Sequence, residues 1–248
     1  MLVKSQVKYI QSLGHKKFRD ADGVFVAEGP KIVLEFLRSD NLSLVQCFAT
    51  EHWLSMNEGI MNGRKQLFAE TNEKELERIS FHSTPHQVLA IFTKPVFKTS
   101  QEPEGLTILL DTIQDPGNLG TIIRTADWFA VNRIICSKDS VDAFNPKVVQ
   151  SAMGSLVRVE LQYADLEEFV RTHIGIPVLA GSLEGEDLNE KLFLSKALLL
   201  MGNESRGISP VLESLANRHI RIPGKGDAES LNVAVATGIL LSRIEMIS

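Results

Sequence analysis

A chain of 248 residues that is 44% hydrophobic can bury a large core, and it suits one big α/β domain or, fitting the pattern better, two smaller ones. The formal net charge of −5 excludes a surface coated in basic residues, and no stretch approaches the ~18 apolar residues of a membrane span. With no apolar leader at the start and only two cysteines, Cys47 and Cys136, far apart and in no metal-ligand spacing, the chain reads as cytoplasmic, with reduced core thiols and no metal.

The first nineteen residues carry Lys4, Lys8, Lys16, Lys17 and Arg19 and no acidic side chain. A basic arm on an acidic protein is either an electrostatic footprint for phosphates or a solvated tail. FVAEGPKIVLEFLRS predicts a strand, a turn at Glu28-Gly29-Pro30 and a helix, after which SLVQCFAT, NEKELERIS and HQVLAIFTK alternate strand, helix and strand. The Pro-, Gly- and polar-rich passage Lys94 to Gly105 marks a boundary, which divides the chain into domains over 1–98 and 106–248.

Beyond it LTILLD, NRIICS, LVRVELQ, PVLAGSL, KALLLMGNE and HIRIP are short Val/Ile/Leu-rich strands. Helices are expected between them in TIIRTADWFA, PKVVQSAMGS, LEEFVRTHI and SPVLESLANR. A last helix over Leu231 to Leu241 reads as buried on nearly every side. Apolar strands alternating with helices indicate a parallel sheet covered on both faces, whose ligand lies beyond the carboxyl ends of its strands.

Three loops in that position stand out. In DTIQDPGNLGTIIRTADWF, Asn118 is placed to cap a helix, and Arg124 is either an ion pair with Asp127 or another carboxylate, or a hook for an anion. In LLLMGNESRGIS, Gly202 and Gly207 allow a close approach to the backbone, and Glu204 is a turn residue or part of a site. In IPGKGDAESLNVAVATGILLSRI, Ser230 and Asn232 stand at the mouth of the last helix, as cap or as site. Neither GxGxxG nor GxxxxGK[ST] occurs, which disfavours a nucleotide-dependent oxidoreductase on a doubly wound sheet.

The set NxGxxxR from Asn118 to Arg124, GNExxG from Gly202 to Gly207 and IPxxGxxxSLNVAVA from Ile222 to Ala236 resembles the three motifs of the SpoU family of RNA 2'-O-ribose methyltransferases, TrmH-like members of the SPOUT superfamily. The SAMGS segment, Ser151 to Ser155, looks like that family's small-residue passage, whereas Ala234 departs from its usual Ser. Residues Gly14 to Leu37 are similar to the small RNA-binding domain that precedes the catalytic domain in some members.

The resemblance implies an α/β SPOUT domain with a parallel sheet and a C-terminal trefoil knot, an exception to the rule that chains do not thread. It implies S-adenosyl-L-methionine as cofactor, held largely by backbone groups at Gly202, Ile222, Leu231 and Gly181. Arg124 becomes the central catalytic residue, with Asn118, Glu204, Ser230 and Asn232 around it. A guanidinium stays protonated, so Arg124 is read as holding a phosphate or the nascent alkoxide, and the proton acceptor is left open. The expected substrate is structured RNA, ribosomal ahead of transfer RNA, gripped in part by Lys16, Lys17 and Arg19, and a homodimer through the knotted domain is expected. The competing reading within the family is a non-catalytic RNA-binding protein that keeps the knot.

Overall fold

The computed structural model describes residues 2–97 and 102–247. In chain order the elements are α1 (Lys4–Ser12), α2 (Lys16–Asp22), β1 (Val24–Glu28), α3 (Pro30–Leu37), β2 (Leu44–Thr50), α4 (Glu51–Met56), β3 (Phe68–Thr71), α5 (Glu73–Ile79) and β4 (Val88–Thr93). They continue with β5 (Leu106–Leu110), α6 (Pro116–Trp128), β6 (Arg133–Ser137), α7 (Pro146–Ala152), β7 (Glu160–Ala164), α8 (Leu166–Thr172) and β8 (Val178–Asp187). The chain ends with β9 (Leu192–Leu194), β10 (Ala197–Met201), α9 (Pro210–Glu213), β11 (Arg218–Arg221), α10 (Val233–Arg243) and β12 (Ile244–Met246).

Two compact units emerge, Met1–Phe97 with Asp142–Val157, and Lys98–Val141 with Arg158–Ser248. The first break between the units falls after Phe97, within the passage Lys94 to Gly105, of which residues 98–101 lie outside the described residues. What the sequence does not reveal is the second exchange: α7 leaves the C-terminal half and folds with the N-terminal one.

In the first unit the strands run β1-β4-β2-β3, with β4 antiparallel to both β1 and β2, and β2 parallel to β3. Both faces of β1 are buried. Val24 and Val26 pack with Ile10, Leu13, Leu76 and Ile79 from the helices on one side. Phe25 turns the other way, against Phe36, Phe92 and Phe144, the last only 5.0 Å away between ring centroids. Phe144 precedes α7, so an aromatic cluster of this unit is completed by the inserted segment. The strand, turn and helix read at Glu28-Gly29-Pro30 form as expected, with Gly29 at a φ of 96° that a side chain resists.

The second unit is built on a six-stranded sheet of order β11-β8-β10-β5-β6-β7, parallel at every pairing. Its central strands β10, β5 and β6 are apolar because both faces are covered. Leu109, Ile135, Leu198 and Leu200 pack with Leu166, Val170 and Leu212 of α8 and α9, and α10 lies against α6. The small sheet β9–β12 is parallel and ties Ile244 to the register of Leu192.

Four expectations are corrected. LVRVELQ contributes a strand only from Glu160, because Ser155–Val157 form a 3-10 turn belonging to the first unit. SPVLESLANR is helical only over Pro210–Glu213. The last helix starts at Val233, and it is not buried all round, since Val235 is 52% exposed and Leu231 ahead of it 46%. The basic N-terminus is no arm: Lys4–Ser12 and Lys16–Asp22 are helices, and Val7 and Ile10 of the first, with Leu13 just after it, reach the core. Among the described residues no helix is long and apolar enough to cross a membrane, and no cluster of His, Cys, Asp and Glu could hold a metal.

Candidate active site

In the second unit the strand order reverses between β5 and β10: the chain builds outward from β5 through β6 and β7, then returns to lay β8, β10 and β11 on the other side. An open parallel sheet offers its crevice at such a switch point, beyond the strand carboxyl ends. Two of the three motif loops leave from there.

The loop after β5 is fixed by its own short polar side chains. The Asp111 amide donates to Met201 O at 2.9 Å, and its buried carboxylate accepts from the Ser209 amide at 2.8 Å. Thr112 sits at a φ of 59°, unusual for a β-branched residue. Its amide donates to Ser137 Oγ at 2.8 Å, its hydroxyl stands 3.1 Å from Asp111 Oδ1 and 3.0 Å from Asp139 Oδ2, and its carbonyl accepts from Asn203 Nδ2 at 2.8 Å. The Ser137 hydroxyl, and after it that of Thr112, holds the Asp139 carboxyl below its ordinary range. Asp115 then caps α6 by accepting from the Asn118 amide at 2.8 Å, with Pro116 in the first helical position. The cap is therefore Asp115, and the Asn118 side chain is released for other partners.

Those partners are the other two motifs. Asn118 Nδ2 donates to Glu204 Oε1, and Asn118 Oδ1 accepts from Asn232 Nδ2 at 2.8 Å. Asn232 Oδ1 meanwhile accepts from the amides of Ala234 at 2.9 Å and Val235 at 3.3 Å, which makes Asn232 the N-cap of α10. One side chain thus caps α10 through its oxygen and reaches the first motif loop through its nitrogen. Ser230 is exposed and does not cap the helix.

Arg124 lies on α6 with Ile122, Ile123 and Ala126 buried beside it while its own side chain is exposed. The ion pair with Asp127 does not form: both Asp127 oxygens are taken by Arg158, at 2.8 to 3.0 Å. Among the described residues no carboxylate pairs with Arg124, so its five donors remain available to a ligand.

Of the four positions expected to hold a cofactor, Gly181 lies inside β8, and a Cβ there would come 2.8 Å from Met201 Sδ and 3.2 Å from Leu240. Gly202 is required by its own loop. A Cβ would stand 2.3 Å from the backbone of Gly207 and Ile208, where Asn203 and Gly207 exchange backbone hydrogen bonds at 3.0 and 2.9 Å. Ile222 lines a cavity of about 150 Å³ with Leu188, Pro223, Ile239, Leu240 and Arg243. Leu231 is half exposed just before the α10 cap.

In the first unit Lys16 and Lys17 are exposed on α2, but Arg19 is not a surface residue. It is 1% exposed, donates from Nη1 to Leu13 O at 2.7 Å and from Nε to Asp142 Oδ2 at 3.1 Å, and so belongs to the fold. Its role as an RNA contact is withdrawn for that physical reason. Residues that sequence reasoning missed are Asp115, Thr112 and Asn203. The DP pair before the helix signals Asp115 as a cap followed by an N1 proline, whereas nothing local marks Thr112 or Asn203.

Residues 105–242 match the SpoU rRNA methylase family, and residues 4–90 match the MRM3-like substrate binding domain. Over 239 residues the chain is 30% identical to the 23S rRNA (guanosine(2553)-2'-O)-methyltransferase RlmP of Bacillus subtilis strain 168, spanning 95% of this chain and 94% of that one. The AdoMet-bound rRNA methyltransferase of Sinorhizobium meliloti is similar with a TM-score of 0.85 at 34% identity, covering 98% of this chain and 95% of that one. A chain assigned to the TrmH family, from Porphyromonas gingivalis, gives a TM-score of 0.85 at 37% identity, with 98% of each covered. A family match over more than half the chain, joined to a likeness running almost end to end, means that this protein belongs to the SpoU rRNA methylase family.

Proposed function

We propose that the protein transfers a methyl group from S-adenosylmethionine to a ribose 2'-hydroxyl of structured ribosomal RNA. The observation that carries this reading is the side-chain relay from Glu204 through Asn118 to Asn232, which draws three separate loops together at the sheet's switch point. Its support from relatives is that RlmP is named for 2'-O methylation of 23S rRNA and that the Sinorhizobium meliloti enzyme is described with AdoMet bound.

The residues present fit such a cofactor. The loops after β10 and β11 carry Gly202, Gly207, Gly224 and Gly226, Gly181 lacks the side chain that would meet Met201 and Leu240, and Ile222 borders a cavity lined by Leu188, Pro223 and Leu240 with Asn189 and Arg243. Gly202, Ile222, Leu231 and Gly181 would hold it, and when bound it supplies an electrophilic methyl group. The relay locks the Asn118 amide in one orientation, since its oxygen takes the Asn232 donor and its nitrogen faces Glu204. A pre-oriented polar group needs no rearrangement as charge develops on the attacking oxygen. Arg124, without a carboxylate partner among the described residues and always protonated, holds the phosphate or the nascent alkoxide instead of accepting a proton.

Three finer points belong to the same reading. The segment from Ile222 to Asn232 threads an earlier loop as a trefoil knot, supported by the way α10 returns to pack on α6. Two copies associate through this unit, supported by the exposed Trp128 and Val235 on those two helices and Phe129 just after the first, with Trp128 84% exposed. The protein works in the reducing cytoplasm, supported by two buried free thiols that burial pushes up to about 12.

The test is Arg124→Lys, which keeps the charge and loses the planar fork. The variant should still be stabilised by S-adenosylhomocysteine as the parent is, by about 2.7 kcal/mol at a hundred times Kd, and should lose most methyl incorporation into unmodified ribosomal RNA. Undiminished incorporation would remove Arg124 from the site. Incorporation by the parent into transfer RNA alone would overturn the substrate.

A further inference from the structure

Thr112 is a β-branched residue in the left-handed region, with a φ of 59°, at the first turn beyond β5. Non-glycine residues stay in that region only when their surroundings over-determine them, and such residues gather at functional sites. Here the surroundings are explicit. The amide is held by Ser137 Oγ at 2.8 Å, the hydroxyl lies between the carboxylates of Asp111 and Asp139, and the carbonyl is held by Asn203 Nδ2 at 2.8 Å. Asn203 is itself fixed, because its Oδ1 accepts from the amides of Ser205 at 2.9 Å and Arg206 at 3.2 Å, and its backbone is paired with Gly207.

Asn203 immediately precedes Glu204, and Thr112 stands six residues before Asn118 in the same loop and helix start. The bond from Asn203 to Thr112 is therefore a strap between the two loops whose ends must meet for Asn118 to reach Glu204. A right-handed or extended conformation at Thr112 would swing its carbonyl away from Asn203, and the strap would open. We propose that Thr112 and Asn203 are positioning residues: the left-handed turn at Thr112, read by the Asn203 amide, sets the distance between the β5 and β10 loops and so the geometry of the Asn118–Glu204 pair. The inference rests on the proposed methyl transfer for its kinetic consequence and on the described bonds for its structural one.

Two measurements separate them. The first is hydrogen exchange over residues 111–118 and 202–207, which needs no turnover. Thr112→Val, which resists the left-handed region and lacks the hydroxyl, should speed exchange in both segments together. Asn203→Asp, which sets a carboxylate against the Thr112 carbonyl, should do the same. Thr112→Gly and Thr112→Asn, both tolerant of the conformation, should leave exchange within about twofold of the parent. The second is kcat for methyl transfer, expected to fall at least tenfold in Thr112→Val and Asn203→Asp, with the KM for RNA little changed, and to be recovered in Thr112→Gly. Exchange in Thr112→Val that rises in only one segment, or in neither, overturns the strap. Equal loss of kcat in Thr112→Gly and Thr112→Val assigns the effect to the hydroxyl and overturns the conformational role. A parent protein that transfers no methyl group to RNA counts against the proposed function alone, and the exchange result still decides the strap.

Discussion

Asn232→Asp separates the capping of α10 from the proposed place of the same side chain in the active site. The new carboxylate keeps an oxygen for the amides of Ala234 and Val235, and a negative charge suits the positive end of a helix, so the cap of α10 survives. The donor to Asn118 Oδ1, now at 2.8 Å, is replaced by an acceptor. Asn118 can rotate its amide to donate toward the new carboxylate, but its oxygen then faces Glu204, so one acceptor-to-acceptor approach remains wherever it is placed. A hydrogen bond involving a charged group contributes about 1.5–3 kcal/mol, and a loss of that size in the transition state slows kcat by about tenfold to a hundredfold. Thermal unfolding should stay close to that of the parent. Asn232→Ala, by contrast, loses the cap, about 1 kcal/mol, and should melt about 2–4 °C lower in a chain of this size. The assay pairs a melting curve with single-turnover methyl transfer for each variant. An Asn232→Asp protein with normal turnover would refute the relay as part of the active site, and one that melts below Asn232→Ala would refute the capping argument.

Two further outcomes follow from the placement of charges and thiols. Lys16→Ala with Lys17→Ala should weaken RNA binding and flatten its salt dependence by up to about one unit of slope for each phosphate no longer neutralised, with little change in melting, whereas Arg19→Ala should leave the part-buried Asp142 unpaired and cost up to about 3 kcal/mol of stability, read by thermal unfolding; similar melting for the two would return Arg19 to the surface. Because burial pushes both thiols to about 12, Cys47 and Cys136 should resist alkylation at pH 8 in the folded protein and react together once denaturant unfolds it, and rapid labelling of the native protein would contradict their burial.

The parallel sheet was legible because its central strands, LTILLD and KALLLMGNE among them, are apolar at nearly every position, which only a sheet covered on both faces requires. Two of the three motif loops were legible for the same reason, since each follows such a strand, whereas the third follows the charged strand Arg218–Arg221 and was legible from its glycines and proline. Burial of individual charges was not. Arg19 sits among lysines in sequence, and only folding brings Asp142, more than a hundred residues later, to its guanidinium. Asn118 likewise looked like a cap because Asn caps helices well, and the decision between Asp115 and Asn118 is made by which amide the loop presents. Thr112 left no trace at all, since a left-handed threonine is the opposite of what local preference favours and is held there by partners from β6 and the β10 loop.

The placement of Asp142–Val157 with the first unit means that the polypeptide passes between the two units three times, after Phe97, after Val141 and after Val157. Such a chain is not two beads on a string. A truncation that begins near residue 106 removes Phe25 and Arg19 yet retains Phe144 and Asp142, leaving an aromatic ring and a carboxylate whose partners in the intact protein are gone. Exchange of the first unit between relatives is therefore not a matter of joining N-terminal pieces at a linker. The α7 segment has to travel with the unit it completes, and recombination or domain grafting that ignores it inherits a mismatched core.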